Sequence, residues 1–173
     1  VFAPQYIENK LKFSPYVREA VALGHDRGFG TAMINVDAEV VGNWAERRSV
    51  AYTGYTDLAQ NPEVYALVQA EVRRTNETLA PSQRVRRLAL LHKELDADDA
   101  EMTRTRKLRR RFIHERYRDI IDALYDVTAR EVTVRATVTY EDGRTSEVAR
   151  RGVVRSFQIS AIFCTVAGTS GSI

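Results

Sequence analysis

Two apolar segments joined by a short, glycine-containing connection constrain the fold of this chain most. Residues 17–23 and 31–36 are rich in valine, alanine and other apolar side chains, a pattern that favours buried β-strands. Gly24, Gly28 and Gly30 lie between the two segments, and glycines clustered between apolar runs indicate a turn. We therefore predict a hairpin-type connection between two strands of a small sheet.

Three further segments have the periodicity and the starting residues of helices. Pro4 suits a first helical position, and residues 5–13 follow it with apolar side chains on one side. Asp37 is a good N-cap for a second helix. Asn61 and Pro62 together predict the start of a third and longer helix.

The middle of the chain contains a third strand and two segments without a clear period. Residues 85–91 favour a strand, whereas residues 52–57 and the acidic segment 92–106 are predicted to be irregular. A helical period returns at residue 108 and continues to residue 124. This order of elements predicts an α+β fold, with a small mixed or antiparallel sheet flanked by helices.

The C-terminal part of the chain predicts an added β-hairpin. Residues 132–140 alternate between apolar and polar side chains, and residues 145–154 are the predicted partner strand. Asp142 and Gly143 between them form the strongest short hairpin signal in the sequence. Residues 156–173 carry no charge and are predicted to be a tail.

Positive charge is concentrated in residues 104–118, which contain eight Lys or Arg residues and one Glu and therefore carry +7. The whole chain carries only +3, so the remainder sums to −4. Such a concentration usually faces an anion, although a solvated run of charge is the simpler interpretation of composition alone. Arg109, Arg110 and Arg111 favour a functional cause, because cations in the first turn of a helix oppose its macrodipole.

Other patterns give no support for a metal site. The three histidines have no ligand-like spacing in the sequence. The acidic segment superficially resembles a calcium loop through Asp96, Asp98, Asp99 and Glu101. It lacks the glycine and the distal glutamate that such a loop requires, so we interpret it as a solvated acidic loop.

Cysteine content and hydropathy bear on location. Cys164 is the only cysteine, which excludes an intrachain disulfide and fits a reducing, cytoplasmic compartment. We find no apolar segment long enough to predict a transmembrane helix, and peripheral attachment to a membrane stays open as an alternative. The chain begins at Val1 without an initiator methionine, and on this ground we expect it to be a fragment.

Three stretches of the sequence resemble one known family. Residues 3–9, APQYIEN, are similar to its P-x-x-I-E-N helix start, and residues 14–21 are similar to the strand that follows. The most specific stretch resembles its late T-x-T-x-K-x-x-R motif, formed here by Thr103, Thr105, Lys107 and Arg110. The chain thus resembles, over residues 1–126, the C-terminal domain of an AMP-forming long-chain acyl-CoA synthetase of the adenylate-forming superfamily.

The resemblance implies roles for the motif residues. Lys107 would be the catalytic lysine, whose ammonium contacts the fatty-acid carboxylate and the α-phosphate of ATP together. Thr103 and Thr105 would orient the loop. Arg110 would support the same anion or anchor its helix. No residue is assigned to a metal.

The resemblance also implies partners that are absent from this chain. A large N-terminal adenylation domain would bind ATP, Mg²⁺ and the acyl chain, and the activated acyl group would pass to coenzyme A after a domain rotation. The fragment alone is expected to bind none of these and to be inactive. The predicted division is residues 1–126 for the lysine-bearing domain, 127–155 for the hairpin extension and 156–173 for the tail.

Two departures and two alternatives accompany this interpretation. The superfamily at large places glycine just before the motif lysine, where this chain has Arg106. The hairpin of residues 131–154 extends past the family's usual end. A nucleic-acid-binding module that uses the basic helix is one alternative function, and a protein-interaction module that uses the exposed hairpin is the other.

Overall fold

The computed structural model describes the backbone of residues 2–139 and 145–156, and the side chains of residues 2–131 and 153–155. Six α-helices and five strands lie within these residues. In chain order they are α1 Pro4–Leu11, β1 Val17–Leu23, β2 Gly30–Val36, α2 Ala38–Arg47, α3 Tyr55–Gln60, α4 Pro62–Glu77, β3 Val85–Leu90, α5 Arg110–Arg116, α6 Arg118–Tyr125, β4 Glu131–Thr139 and β5 Thr145–Ser156.

The strands form one mixed sheet in the order β1-β2-β3-β5-β4. The predicted hairpin is confirmed, since β1 and β2 pair antiparallel with Leu23 opposite Thr31. Strand β2 pairs parallel with β3, and α2, α3 and α4 occupy the connection between them. The predicted α+β class with a small mixed sheet is therefore confirmed.

Helices cover both faces of this sheet. One apolar cluster joins α1, α2, α3 and α4 to one face, and its members include Ile7, Leu11, Ile34, Val41, Val64, Val68 and Leu88. A second cluster joins α5 and α6 to the opposite face, and its members include Val21, Met33, Ala89, Ile113, Ile120 and Leu124. Strand β2 is buried along its whole length, because neighbours cover it on both sides.

The predicted helix starts are confirmed by their caps. The side chain of Asp37 accepts a hydrogen bond from the Val40 N–H at 3.0 Å. The side chain of Asn61 accepts one from the Glu63 N–H at 2.8 Å. Each bond satisfies a backbone donor that the first turn of a helix leaves without an intrahelical partner.

Two sequence predictions are wrong at the level of single elements. Residues 55–60 form α3, although residues 52–57 were predicted to be irregular, and the Asp57 carboxylate closes its start by accepting the Thr53 N–H at 3.0 Å. The helix predicted from residue 108 begins at Arg110 and is interrupted at Tyr117, between α5 and α6. Tyr117 is buried there, and its hydroxyl is held by Glu101.

The C-terminal strands extend the sheet. Strands β4 and β5 pair antiparallel from Glu131 opposite Val153 to Thr139 opposite Thr145. The last residues of β5 then pair with β3, including Ala89 opposite Val154. The predicted turn at residues 142–143 lies outside the described residues, as does the predicted tail from residue 157 onward.

A buried arginine ties this extension to α6. The guanidinium of Arg87, on β3, donates to the backbone carbonyl oxygens of Ala123 and Leu124 at 3.0 and 3.2 Å, and also to those of Asp126 and Ala129. Burial lowers the pKa of Arg87. None of the helices in the described ranges is long and apolar enough to cross a membrane.

Candidate functional site

The motif lysine lies directly after the three-residue loop of a small hairpin, which we call the lysine hairpin (residues 102–108). Met102 and Leu108 form an antiparallel bridge at its base. The Thr103 carbonyl accepts the Arg106 N–H at 2.8 Å, and the Thr103 N–H donates to the Lys107 carbonyl at 2.8 Å. These two bonds close a three-residue loop, so the backbone of Lys107 has a defined position.

Both motif threonines use their hydroxyls inside the lysine hairpin. The Thr103 hydroxyl oxygen accepts the Lys107 N–H at 3.0 Å and lies 3.0 Å from the Thr105 hydroxyl oxygen. The Lys107 side chain is exposed, and its ammonium pairs with no carboxylate in the part of the chain that the structure describes. The arrangement holds the backbone and leaves the ammonium accessible to an external anion.

Arg106 adopts a backbone conformation that usually belongs to glycine. Its φ is 59°, in the left-handed region that a side chain with a Cβ enters at a cost. The resemblance to the superfamily at large implies glycine at this position. Glycine would adopt this φ without the steric cost that a Cβ brings.

A buried carboxylate lies under the base of the lysine hairpin. Glu101 is 0% exposed, and its side chain accepts bonds from the Tyr117 hydroxyl at 2.6 Å and the Lys93 ammonium at 3.0 Å. Arg116 approaches it at 3.3 Å. The interpretation of the segment as a solvated acidic loop is therefore wrong for Glu101, because partners distant in sequence enclose this charge.

The start of the same loop is fixed to the end of β2. Asn35 is 1% exposed, and its amide nitrogen donates to the Lys93 carbonyl at 2.6 Å and lies 2.9 Å from the Tyr55 hydroxyl oxygen. Its amide oxygen accepts the Leu95 N–H at 2.9 Å. Burial raises the pKa of the Tyr55 hydroxyl. Sequence reasoning missed Asn35, although a polar residue inside an otherwise apolar strand is a usable signal.

The side chain of Arg110 reaches α1. Its guanidinium contacts the Glu8 carboxylate at 2.7 Å, and the other carboxylate oxygen of Glu8 accepts the buried Ala22 N–H at 2.8 Å. Glu8 belongs to the P-x-x-I-E-N stretch, so two of the three stretches that carry the resemblance meet in space. The geometry matches an anchor for α5 more closely than a free anion ligand.

A basic cleft of about 590 Å³ lies beside α5 and α6. Its lining includes Arg27, Arg111, His114, Arg118, Glu115 and Asp122. Burial lowers the pKa of His114, and the neighbouring charges of Arg110 and Arg27 lower it further. Across the described residues, no group of three or more His, Cys, Asp or Glu side chains could hold a metal ion.

Comparison with known proteins identifies the family of this chain. The profile of the AMP-binding enzyme C-terminal domain family matches residues 1–129. Over 125 residues the chain is 30% identical to the long-chain-fatty-acid–CoA ligases FadD15 of Mycobacterium tuberculosis and Mycobacterium bovis. This match covers 72% of the chain and 21% of each relative, so the chain spans about a fifth of their length.

Solved structures of low sequence identity share the fold. The A-PCP didomain of carboxylic acid reductase from Segniliparus rugosus, in complex with AMP, matches with a TM-score of 0.56 and 16% identity. That match covers 71% of this chain and 16% of the didomain. The adenylation domain of a carboxylate reductase from Mycobacterium chelonae matches with a TM-score of 0.55 and 18% identity, covering 72% of this chain and 19% of that domain.

Proposed function

Because the chain belongs to the family of AMP-binding enzyme C-terminal domains, we propose that it serves as the lysine-bearing domain of a fatty-acid–CoA ligase. Lys107 is the proposed catalytic residue. The observation that carries this proposal is the exposed Lys107 ammonium, which has no ion-pair partner among the described residues and lies beside the loop of a hairpin braced by Thr103 and Thr105.

The chemistry that the lysine would assist joins two anions. A fatty-acid carboxylate oxygen bonds to the α-phosphorus of ATP, and the bond from that phosphorus to the bridging oxygen breaks to release pyrophosphate. One ammonium between the carboxylate and the α-phosphate offsets their repulsion and stabilises charge on the phosphoryl oxygens. Loss of such a contact commonly lowers the rate by about 10²- to 10³-fold.

The remaining machinery is assigned to a partner domain. We propose that a large adenylation domain binds ATP, Mg²⁺ and the fatty acid, and that coenzyme A accepts the acyl group in a second step. The 173-residue chain would then contribute the lysine and no nucleotide pocket. Supplied with ATP, Mg²⁺, palmitate and coenzyme A, the isolated chain is expected to form no acyl-CoA.

The test is a lysine substitution in the intact ligase that contains this chain. Lys107→Ala is expected to lower fatty-acid-dependent exchange of pyrophosphate into ATP by about 10²- to 10³-fold. Thioester formation from synthetic acyl-adenylate should stay within about two-fold of wild type, because that step makes no use of this contact. Arg104→Ala is the matched control, since it removes an exposed cation from the same hairpin.

The rates of acyl-adenylate formation and of thioester formation in Lys107→Ala decide whether the proposal holds. An equal loss of both in Lys107→Ala would mean that the lysine is structural. Wild-type pyrophosphate exchange in Lys107→Ala would remove the proposal altogether, and so would acyl-CoA formation by the isolated chain.

A further inference from the structure

We propose that Glu101 is a positioning residue for Lys107, an inference that rests on the proposed function. The Glu101 side chain is fully buried, whereas the Lys107 side chain is exposed beside the loop of the lysine hairpin. Glu101 therefore acts through the backbone of the lysine hairpin and not by touching a substrate.

Donors from two separate segments, the end of α5 and the loop after β3, converge on the Glu101 carboxylate. One oxygen accepts from the Tyr117 hydroxyl at 2.6 Å and lies 3.3 Å from the Arg116 Nε. The other accepts from the Lys93 ammonium at 3.0 Å and from the Asp96 N–H at 3.1 Å. A buried carboxylate with this set of donors has one well-defined orientation, because every alternative leaves buried polar groups without partners.

The backbone of Glu101 lies at the base of the lysine hairpin and holds its two ends together. The Glu101 carbonyl accepts the Arg109 N–H at 2.9 Å, and the Glu101 N–H donates to the Asp96 carbonyl at 3.0 Å. The chain therefore leaves Glu101, passes through the hairpin that bears Lys107, and returns to it at Arg109. Fixing Glu101 fixes both ends of the hairpin relative to α5.

The charges around Glu101 balance one another. Lys93 and Arg116 each pair with Asp99 as well as with Glu101, so two cations face two carboxylates. Neutralising Glu101 would leave the two cations with Asp99 alone, and the half-exposed Asp99 is the weaker partner because solvent screens it. The interactions that offset the cost of burying the segment around Glu101 would then be weakened.

Glu101→Gln in the intact ligase tests the inference. The glutamine keeps the size of the side chain. Its NH₂ group, however, replaces a carboxylate oxygen that accepts hydrogen bonds, and so it faces the donors of those bonds. We expect kcat for acyl-adenylate formation to fall by about 10- to 100-fold, because displacement of a catalytic group by about 1 Å has an effect of this size. KM for ATP and thioester formation from acyl-adenylate should stay within about two-fold of wild type.

Two variants separate positioning from simple loss of folding. Glu101→Asp keeps the charge and should recover part of the lost adenylation. Glu115→Gln removes a carboxylate from an exposed pair with Arg111 on the same helix and should have no effect on either step. Equal loss of both half-reactions in Glu101→Gln would identify a structural role and overturn the inference.

Hydrogen exchange in the 173-residue chain supplies a readout without catalysis. The amides of Thr103, Lys107 and Arg109 should exchange faster in Glu101→Gln, whereas those of Ala22 and Ala32 in the sheet should not change. Unchanged exchange in the hairpin would overturn the inference, as would wild-type adenylation in Glu101→Gln. The proposed function fails separately, if Lys107→Ala keeps its adenylation activity.

Discussion

The guanidinium of Arg110 lies 2.7 Å from the carboxylate of Glu8, although 102 residues separate them in sequence. This contact joins the first helix to the start of α5. It also accounts for a cation in the first turn of α5, where the helix dipole alone disfavours positive charge. Glu8 is 4% exposed and binds the Ala22 N–H with its other oxygen, so the pair connects α1, β1 and α5.

The Glu8–Arg110 pair should show thermodynamic coupling. Glu8→Gln and Arg110→Gln are each expected to lower the free energy of unfolding by about 1–2 kcal/mol, since Arg110 is partly exposed and screening limits the effect. A double-mutant cycle in urea should give a coupling of about 0.5–2 kcal/mol. Strictly additive losses would contradict a direct interaction. Arg111→Gln, at an exposed pair, should change stability by no more than about 0.5 kcal/mol.

Replacement of Arg106 by glycine should relieve backbone strain. The φ of 59° costs a residue with a Cβ roughly 1 kcal/mol, whereas glycine adopts it freely. Arg106→Gly is therefore expected to leave the free energy of unfolding unchanged or raise it by up to about 1 kcal/mol. Arg106→Val should lower it by at least about 1 kcal/mol, because a β-branched residue tolerates this region poorly.

Thermal and urea denaturation of the isolated chain would measure both Arg106 variants. Arg104→Gly is the control in the same loop, at a residue without a positive φ. There glycine should lower stability slightly, because it only adds freedom to the unfolded chain. A loss in Arg106→Gly as large as in Arg104→Gly would argue against strain at Arg106.

His114 should titrate below its ordinary pKa and make stability depend on pH. Burial first, and then the charges of Arg110 and Arg27, lower its pKa in the folded state. The unfolded chain therefore takes up the proton first, near pH 6.5, so this contribution to stability is complete above that pH and is lost as the pH falls toward the folded pKa.

NMR titration of the His114 ring would measure this shift directly. Arg27→Gln should raise the pKa of His114 toward its ordinary value, because it removes one of the two cations. Chemical denaturation at several pH values should show that His114→Gln weakens the loss of stability below about pH 6.5. A His114 pKa at or above about 6.5 in the wild-type chain would contradict the expectation.

Loss of Asn35 should be among the most damaging substitutions near the site. Asn35→Ala would leave the Lys93 carbonyl and the Leu95 N–H without their partner at a buried position. We expect the free energy of unfolding to fall by about 2–4 kcal/mol in urea denaturation. Asn43→Ala, at an exposed position of α2, should change it by no more than about 0.5 kcal/mol. Similar effects of the two substitutions would show that the Asn35 amide does not anchor the loop.

Local signals predicted most of the fold. The turn glycines placed β1 beside β2, and the caps at Asp37 and Asn61 placed the starts of two helices within one residue. These features succeed because each depends on residues only a few positions apart. The prediction failed at residues 55–60, because a helix as short as α3 does not show a helical period.

By itself, the sequence determined the class of fold, the family resemblance and the identity of Lys107 as the candidate catalytic residue. Only the tertiary structure decided that Arg110 pairs with Glu8, that Glu101 is buried, and that Asn35 holds the start of the loop. The physical reason is that the sequence around a charged or amide side chain does not identify the residue with which that side chain pairs. Its energy depends on donors and acceptors brought together from distant segments, and on the solvent that folding excludes around them.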